Sequence, residues 1–151
     1  MAIAPFKFTE EQEALRAAVR DLCKRYPDTY WRDVDEKREY PEAFVADLTQ
    51  AGYLAALIPQ EYGGAGLGIA DASLILEEVN RSGGNSSACH AQMYIMGTVL
   101  RHGSEAQKRA YLPKIATGEL RLQAFGVTEP NVGSDTTKIQ TAAVRKATAT
   151  W

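Results

Sequence analysis

The spacing of apolar residues between residues 9 and 118 is the feature that most constrains the fold of this chain. These residues recur at intervals of three or four, in blocks that end at proline or glycine, which is the period of amphipathic α-helices. The first block opens with a capping box at Thr9–Gln12, in which the threonine hydroxyl accepts from an unpaired helix N–H and the glutamine reaches back. This helix ends at Pro27, and its predicted inward face consists of Leu15, Val19, Leu22 and Tyr26.

Two further helices are predicted in the middle of the chain. One occupies residues 41–52, between a proline that favours a helix start and a glycine that favours a helix end. The next is capped by Asp71 and is expected to turn Glu77 and Glu78 toward water. Residues 28–40, which are rich in charge, are expected to form a solvated connector.

The last two predicted helices complete a bundle. One covers residues 86–101 and is apolar around most of its circumference, as expected for a helix packed on several sides. Ser104 opens the other with a second capping box, Pro113 kinks or interrupts it, and Gly118 ends it. Residues 1–119 are therefore predicted to form one N-terminal helical domain.

Composition excludes several classes of function. The 151 residues carry a net charge of −2, so the sequence gives no basic surface that would indicate nucleic-acid binding. No apolar stretch is long enough for a membrane span, and the first residues resemble neither a signal nor a transit peptide, so we expect a cytoplasmic protein. Cys23 and Cys89 lie in apolar helical contexts and are expected to be buried free thiols.

A different pattern begins after the helices. Residues 120–127 alternate apolar with polar or small side chains, and residues 136–145 are again strand-like, so two strands are predicted. Between them, Pro130 disfavours helix, and Gly133 permits a planar ligand to approach the backbone. Hydroxyl, carboxylate and N–H groups surround that glycine and suit a flat cofactor with polar edges, although the same pattern also describes an ordinary surface connection.

Residues 125–135 read Phe-Gly-Val-Thr-Glu-Pro-Asn-Val-Gly-Ser-Asp, and this stretch resembles the middle-domain signature of the acyl-CoA dehydrogenase family. Residues 58–66, Ile-Pro-Gln-Glu-Tyr-Gly-Gly-Ala-Gly, are similar to a loop that the family carries between its early helices. Residues 112–119 resemble its lead-in to the middle domain. The resemblance implies a mainly α fold, in which an N-terminal helical bundle is followed by the first strands of an incomplete β-barrel in residues 120–146.

The resemblance also implies a cofactor site for FAD in this loop. Thr128 matches the position whose hydroxyl bonds the flavin ring near N5 and O4. Ser134 matches a position that touches both the cofactor and the thioester end of the substrate. Packing or backbone contact with the isoalloxazine ring is implied for Phe125, Val127 and Gly133.

The substrate implied is an acyl-CoA thioester, which the family dehydrogenates between its α and β carbons. Gln92 and Met96 lie on a helix from which the family builds part of its acyl pocket, although helical spacing makes ordinary core residues of them as well. The family's catalytic glutamate belongs to a C-terminal helical domain, so no catalytic residue is assigned here, and Glu129 is read as a turn carboxylate facing solvent or a neighbouring helix. His90 and His102 are isolated, and no metal site is predicted.

Residues 147–151 depart from the family pattern, and we expect this anomalous tail to be an out-of-frame continuation or the end of a truncated gene product. Such a chain is expected to be inactive alone. The family further implies fatty acid β-oxidation, electron-transfer flavoprotein as acceptor and a homotetramer of the full-length protein. Two alternatives remain open: an acyl-CoA oxidase or flavin monooxygenase on the same scaffold, and a non-catalytic helical interaction module.

Overall fold

Six α-helices build the fold of this chain in a computed structural model that describes residues 7–144. Short 3₁₀ turns at Tyr53–Ala55 and Gln60–Tyr62 connect the middle of the bundle. No helix in this range is long and apolar enough to cross a membrane. The helices are α1 (Glu10–Cys23), α2 (Asp28–Lys37), α3 (Glu42–Gln50), α4 (Ile69–Arg81), α5 (Ser87–His102) and α6 (Glu105–Thr117).

Both predicted capping boxes are confirmed. The Thr9 hydroxyl accepts from the Gln12 N–H at 3.2 Å, and the Gln12 side chain accepts from the Thr9 N–H at the same distance. Ser104 and Gln107 repeat this reciprocal pair at the start of α6. Each box satisfies N–H groups that the first helical turn leaves unpaired.

The core forms where α1, α3, α4, α5 and α6 meet. Both cysteines are buried and free, as predicted, and burial raises the pKa of the Cys89 thiol to about 12. The predicted bundle is therefore confirmed. Its completely buried large apolar side chains are Val19, Phe44, Val45, Leu48, Leu54, Ile58, Ile75, Val79, Met96, Leu112 and Ile115.

The solvated connector predicted for residues 28–40 is wrong, because most of it is α2. No residue of α2 is fully buried, which explains why its charged composition hid the helix. Trp31 fixes it to the bundle: its ring packs edge-on against Phe44 with centroids 4.8 Å apart, and its Nε1 donates to the Tyr26 carbonyl at 3.1 Å. Tyr30, whose ring lies 4.9 Å from that of Tyr26, adds a second contact, so two half-buried aromatic side chains dock an otherwise hydrophilic helix.

Glu78 does not face water as predicted, since its side chain is 1% exposed. Its carboxylate accepts from Arg16 Nε at 2.7 Å and from Arg20 Nε and Nη2, each at 3.1 Å. Glu77 keeps its predicted orientation, with 53% of its side chain exposed. The prediction failed for Glu78 because α1 packs on α4 and brings two guanidinium groups to this carboxylate, which compensates for its burial.

The glycine-rich segment after Pro59 is a tightly folded turn. Gly66 donates to the Ile58 carbonyl at 2.8 Å, and Leu67 donates to the Ala56 carbonyl at 2.8 Å. A Cβ on Gly64 would lie 2.0 Å from the Ile58 carbonyl oxygen, so only glycine fits there. The turn thus lies against the bundle.

The helix α6 passes through Pro113 without interruption and ends before Gly118, which adopts a left-handed conformation with φ of 79°. The sequence suggested that Pro113 either kinks or interrupts this helix, and the continuous helix excludes an interruption. A proline costs a helix one backbone hydrogen bond, and the buried neighbours Leu112 and Ile115 hold this part of α6 in the core.

The two strands predicted for residues 120–127 and 136–145 are not formed within residues 7–144. This range contains a single isolated antiparallel bridge, between Glu129 and Val132, and a 3₁₀ turn at Thr136–Lys138. A strand needs a neighbour to accept and donate its backbone hydrogen bonds, and the strand-like pattern meets none here. Arg145 and the predicted out-of-frame tail, 147–151, lie outside the described residues.

Candidate functional site

The residues after α6 reach the candidate cofactor loop by running along α5. Gln123 Nε2 donates to the Ala88 carbonyl at 3.1 Å, and the Tyr94 hydroxyl donates to the Gln123 carbonyl at 3.5 Å. Tyr40 lies 3.3 Å from the Gln123 amide group and links it to the residues before α3. This segment is thus fixed by side chains.

Phe125 is the most exposed aromatic residue of the described range, at 61%. Its ring contacts Tyr94 edge-on, with centroids 5.1 Å apart, and Tyr94 in turn contacts His90 at 5.2 Å. Three rings therefore form a row from α5 to the start of the loop. The sequence alone indicates no role for Tyr94 or Gln123, because nothing local relates residues 29 positions apart.

Thr128, Gly133 and Ser134 are all exposed on the loop. Within residues 7–144, neither hydroxyl has a hydrogen-bond partner, so both are free to bind a ligand. A Cβ built on Gly133 meets no atom within 4 Å, so this backbone borders open space. Exposed hydroxyls, an accessible backbone and an exposed ring are groups that suit a flat ligand with polar edges.

Glu129 is a solvent-accessible turn carboxylate, as the sequence interpretation has it, and it also binds backbone groups of its own loop. Its carboxylate accepts from the Gln140 N–H at 2.9 Å and from the Thr141 N–H at 2.7 Å. Hydrogen bonds from Thr141 and then Gln140 lower the pKa of this carboxyl. The group is therefore anionic at neutral pH and is already bound to the protein backbone.

Asp135 shapes the second half of the loop. It accepts from the Thr137 N–H at 3.3 Å and forms an ion pair with Lys138 at 3.0 Å. A hydrogen bond from the Thr137 hydroxyl is the main reason that the pKa of Asp135 is lowered. This carboxylate caps the 3₁₀ turn, so its role is to hold the shape of the loop.

Gln92 and Met96, the predicted acyl-pocket residues, lie in the helical core and are 1% and 0% exposed. Gln92 Nε2 donates to the Ile115 carbonyl at 3.4 Å, and its Oε1 has no partner among residues 7–144. The two positions are separated from solvent in this structure. Their role as substrate contacts stays a prediction.

The two histidines form no metal site with other residues of the described range. His90 belongs to the aromatic row on α5, and His102 is the exposed last residue of that helix. Groups of three or more His, Cys, Asp or Glu residues that could hold a metal are absent between residues 7 and 144. The loop is therefore the candidate site with the clearest chemistry.

Comparisons with known proteins converge on one family. Residues 9–119 match the model of the acyl-CoA dehydrogenase N-terminal domain. The chain is 36% identical over 146 residues to acyl-CoA dehydrogenase FadE12 of Mycobacterium tuberculosis, which covers 96% of this chain and 37% of that protein. A solved acyl-CoA dehydrogenase from Geobacillus kaustophilus gives a TM-score of 0.77 at 30% identity, covering 93% of this chain and 37% of that one.

An acyl-CoA dehydrogenase solved in complex with FAD, from Bacillus anthracis, gives a TM-score of 0.72 at 29% identity. That match covers 91% of this chain and 24% of the other. The chain thus spans little more than a third of the length of its relative FadE12. Since the family model covers most of the chain and the relatives align with nearly all of it, this protein belongs to the acyl-CoA dehydrogenase family.

Proposed function

We propose that this chain supplies the N-terminal helical domain and one side of the flavin site of an FAD-dependent acyl-CoA dehydrogenase. The observation that carries the proposal is the exposed loop of residues 125–134, where the hydroxyls of Thr128 and Ser134 are free of partners in the described range. The likeness to a family member solved with FAD supports the choice of cofactor.

When bound, FAD supplies a hydride acceptor for the β carbon of an acyl-CoA thioester. The Thr128 hydroxyl would donate a hydrogen bond to the flavin ring near N5 and O4. This bond would orient the ring and polarise it. Phe125 and Val127 would pack on the isoalloxazine, and Gly133 would admit it to the backbone because no Cβ intervenes. Ser134 would contact the cofactor and the thioester end of the substrate.

No general base is assigned to this chain. A base must lie within hydrogen-bond reach of the α proton, and the carboxylate of Glu129 already accepts two backbone N–H groups. We place the base in the C-terminal helical domain that the family uses for it. Full activity would require that domain, and family resemblance further proposes electron-transfer flavoprotein as acceptor, a homotetramer and a place in β-oxidation.

The cofactor half of the proposal is testable by mapping ligand contacts on the isotope-labelled chain with amide NMR spectra. We expect FAD to shift the amide signals of residues 125–134. Riboflavin, which carries the ring without the adenine nucleotide, should shift the same signals, because the loop is proposed to contact the ring. ADP is the matched control and should leave these signals unchanged.

A variant pair sharpens this first prediction. Thr128→Val removes the hydroxyl at nearly constant volume and should weaken riboflavin binding roughly fivefold, since one hydrogen bond contributes about 1 kcal/mol. Thr117→Val, at an exposed position on α6, should have no effect. Unchanged loop signals at saturating FAD and riboflavin would contradict the flavin site and favour a helical interaction module. An oxidase or monooxygenase would show the same shifted amide signals. It would differ in letting oxygen reach the reduced flavin.

A further inference from the structure

We infer that Glu129 is a positioning residue that closes residues 129–141 into a loop and thereby presents Gly133 and Ser134 to the flavin. Its role toward flavin rests on the function proposed above, whereas the loop closure stands on geometry alone. The carboxylate at one end of the segment accepts from the backbone N–H groups of Gln140 and Thr141 at the other end, at 2.9 Å and 2.7 Å. We call these two bonds the Glu129 tie.

Among residues 7–144, the loop makes no other hydrogen bond of this sequence separation. Its remaining hydrogen bonds join residues two or three positions apart: Glu129 with Val132, Asp135 with Thr137 and Lys138, and Thr136 with Ile139. In the range 7–144, none of its hydrogen bonds reaches a helix. The Glu129 tie spans 11 and 12 residues, so among the described hydrogen bonds it is the one that joins the two ends of the loop.

This geometry gives the carboxylate a task other than proton transfer. Both carboxylate oxygens accept hydrogen bonds from the backbone, and charge-assisted bonds of this kind are shorter and stronger than neutral ones. Bonding to the ionised form lowers the pKa of Glu129, so the tie is present at neutral pH. Pre-ordering the loop lowers the conformational entropy lost when a ligand binds.

The test measures the Glu129 tie without any flavin. Amide NMR spectra of the labelled chain are recorded during an acid titration. The Gln140 and Thr141 N–H signals should move together below the ordinary Glu pKa of 4.5, as protonation of Glu129 weakens both bonds. In Glu129→Gln this movement should vanish, and amide exchange at Gln140 and Thr141 should rise on the order of fivefold at neutral pH. Asp135, the other carboxylate of the loop, pairs with Lys138, and this pair is unchanged in Glu129→Gln.

Glu119→Gln is the matched control, because Glu119 is an exposed carboxylate that pairs with Lys114 outside the loop. It should leave both amide signals and their titration unchanged. Unaltered Gln140 and Thr141 signals in Glu129→Gln would overturn the inference. If the tie is observed, Glu129→Gln should also weaken riboflavin binding, while Glu119→Gln should not.

The outcomes separate the two proposals. A tie observed in a chain that binds no riboflavin would confirm the loop closure and contradict the flavin site. Riboflavin binding that is equal in wild type and Glu129→Gln would keep the flavin site and overturn the positioning role. Riboflavin binding to Glu129→Ala gives a second check, since its loss of riboflavin affinity should equal or exceed that of Glu129→Gln.

Discussion

At the scale of single residues, the Glu78 carboxylate shows how one buried charge joins two helices. Arg16, which is 8% exposed, and Arg20 both reach it from α1. The hydrogen bond from Arg20 contributes most to lowering the pKa of Glu78, and burial opposes this shift. Removing one partner from such a cluster leaves a charge without compensation, which costs far more than losing a surface pair.

We therefore predict that Glu78→Gln lowers the free energy of unfolding by about 3 kcal/mol, because the buried Arg16 would keep only the half-exposed Glu77 carboxylate as its counter-charge. The neighbouring Glu77→Gln is a closely matched control. Its carboxylate lies 3.3 Å from Arg16 but is half exposed, so its loss should cost less than about 0.5 kcal/mol. Urea unfolding of the three proteins measures both values. Equal effects of the two substitutions would contradict a structural role for the buried carboxylate.

The same carboxylate predicts how stability depends on pH. The folded pKa of Glu78 lies below its ordinary value of 4.5, so the folded state binds this proton less readily than the unfolded chain. Its stabilisation is complete above about pH 4.5 and is lost as pH falls through the folded pKa. Urea unfolding measured at successive acidic pH values should therefore show a smaller loss of stability in Glu78→Gln than in wild type. An identical acid dependence would disprove this assignment.

At the scale of elements, α2 shows that a helix can be held by very few side chains. Trp31 contacts Phe44 and Tyr30, with ring centroids 4.8 Å and 5.2 Å apart. Its indole N–H also satisfies the Tyr26 carbonyl, just before the helix starts. The other side of α2 is charged and exposed, so its stability depends on this contact more than on helix propensity.

We predict that Trp31→Ala lowers the free energy of unfolding by about 3 kcal/mol, since it removes a packed aromatic ring. Arg32→Ala, on the exposed side of the same helix, should change it by less than about 0.5 kcal/mol. Thermal or urea unfolding followed by circular dichroism gives the comparison. If residues 28–40 formed a solvated connector, the two substitutions would have equally small effects.

At the scale of the whole molecule, the candidate flavin loop depends on contacts between distant parts of the chain. Gln123 joins the segment before the loop to Ala88 on α5 and to Tyr40 before α3. Phe125 adds a ring contact with Tyr94 on α5. The helical bundle thus positions the start of the loop, whereas the Glu129 tie closes its end.

Gln123→Ala should release this segment without unfolding the bundle, because Gln123 is only half buried and its partners are a carbonyl and an exposed hydroxyl. We expect amide hydrogen exchange over residues 121–128 to rise on the order of fivefold, with the midpoint of urea unfolding unchanged. Gln140→Ala is the control, since its side chain is exposed and only its backbone N–H joins the tie. Exchange that stays equal in all three proteins would show that Gln123 does not hold the segment.

Much of the helical architecture was predictable, and the reason lies in short-range chemistry. The hydroxyl of Thr9 and the side chain of Gln12 meet within one helical turn, so their residue types and spacing suffice to predict the helix start. Gly118 likewise ends α6 through its own backbone freedom. Apolar periodicity correctly placed residues such as Val19 and Leu22 in the core.

The sequence by itself therefore determined the starts of α1 and α6, the end of α6, the burial of both thiols and the family signature around Thr128, because these depend on neighbours a few residues apart. The tertiary structure decided that Glu78 is buried, that residues 120–127 form no strand, and that Glu129 binds the end of its own loop. Each of those outcomes requires a partner at least 11 residues away, or the absence of one, and only the packed fold brings such groups within hydrogen-bond distance.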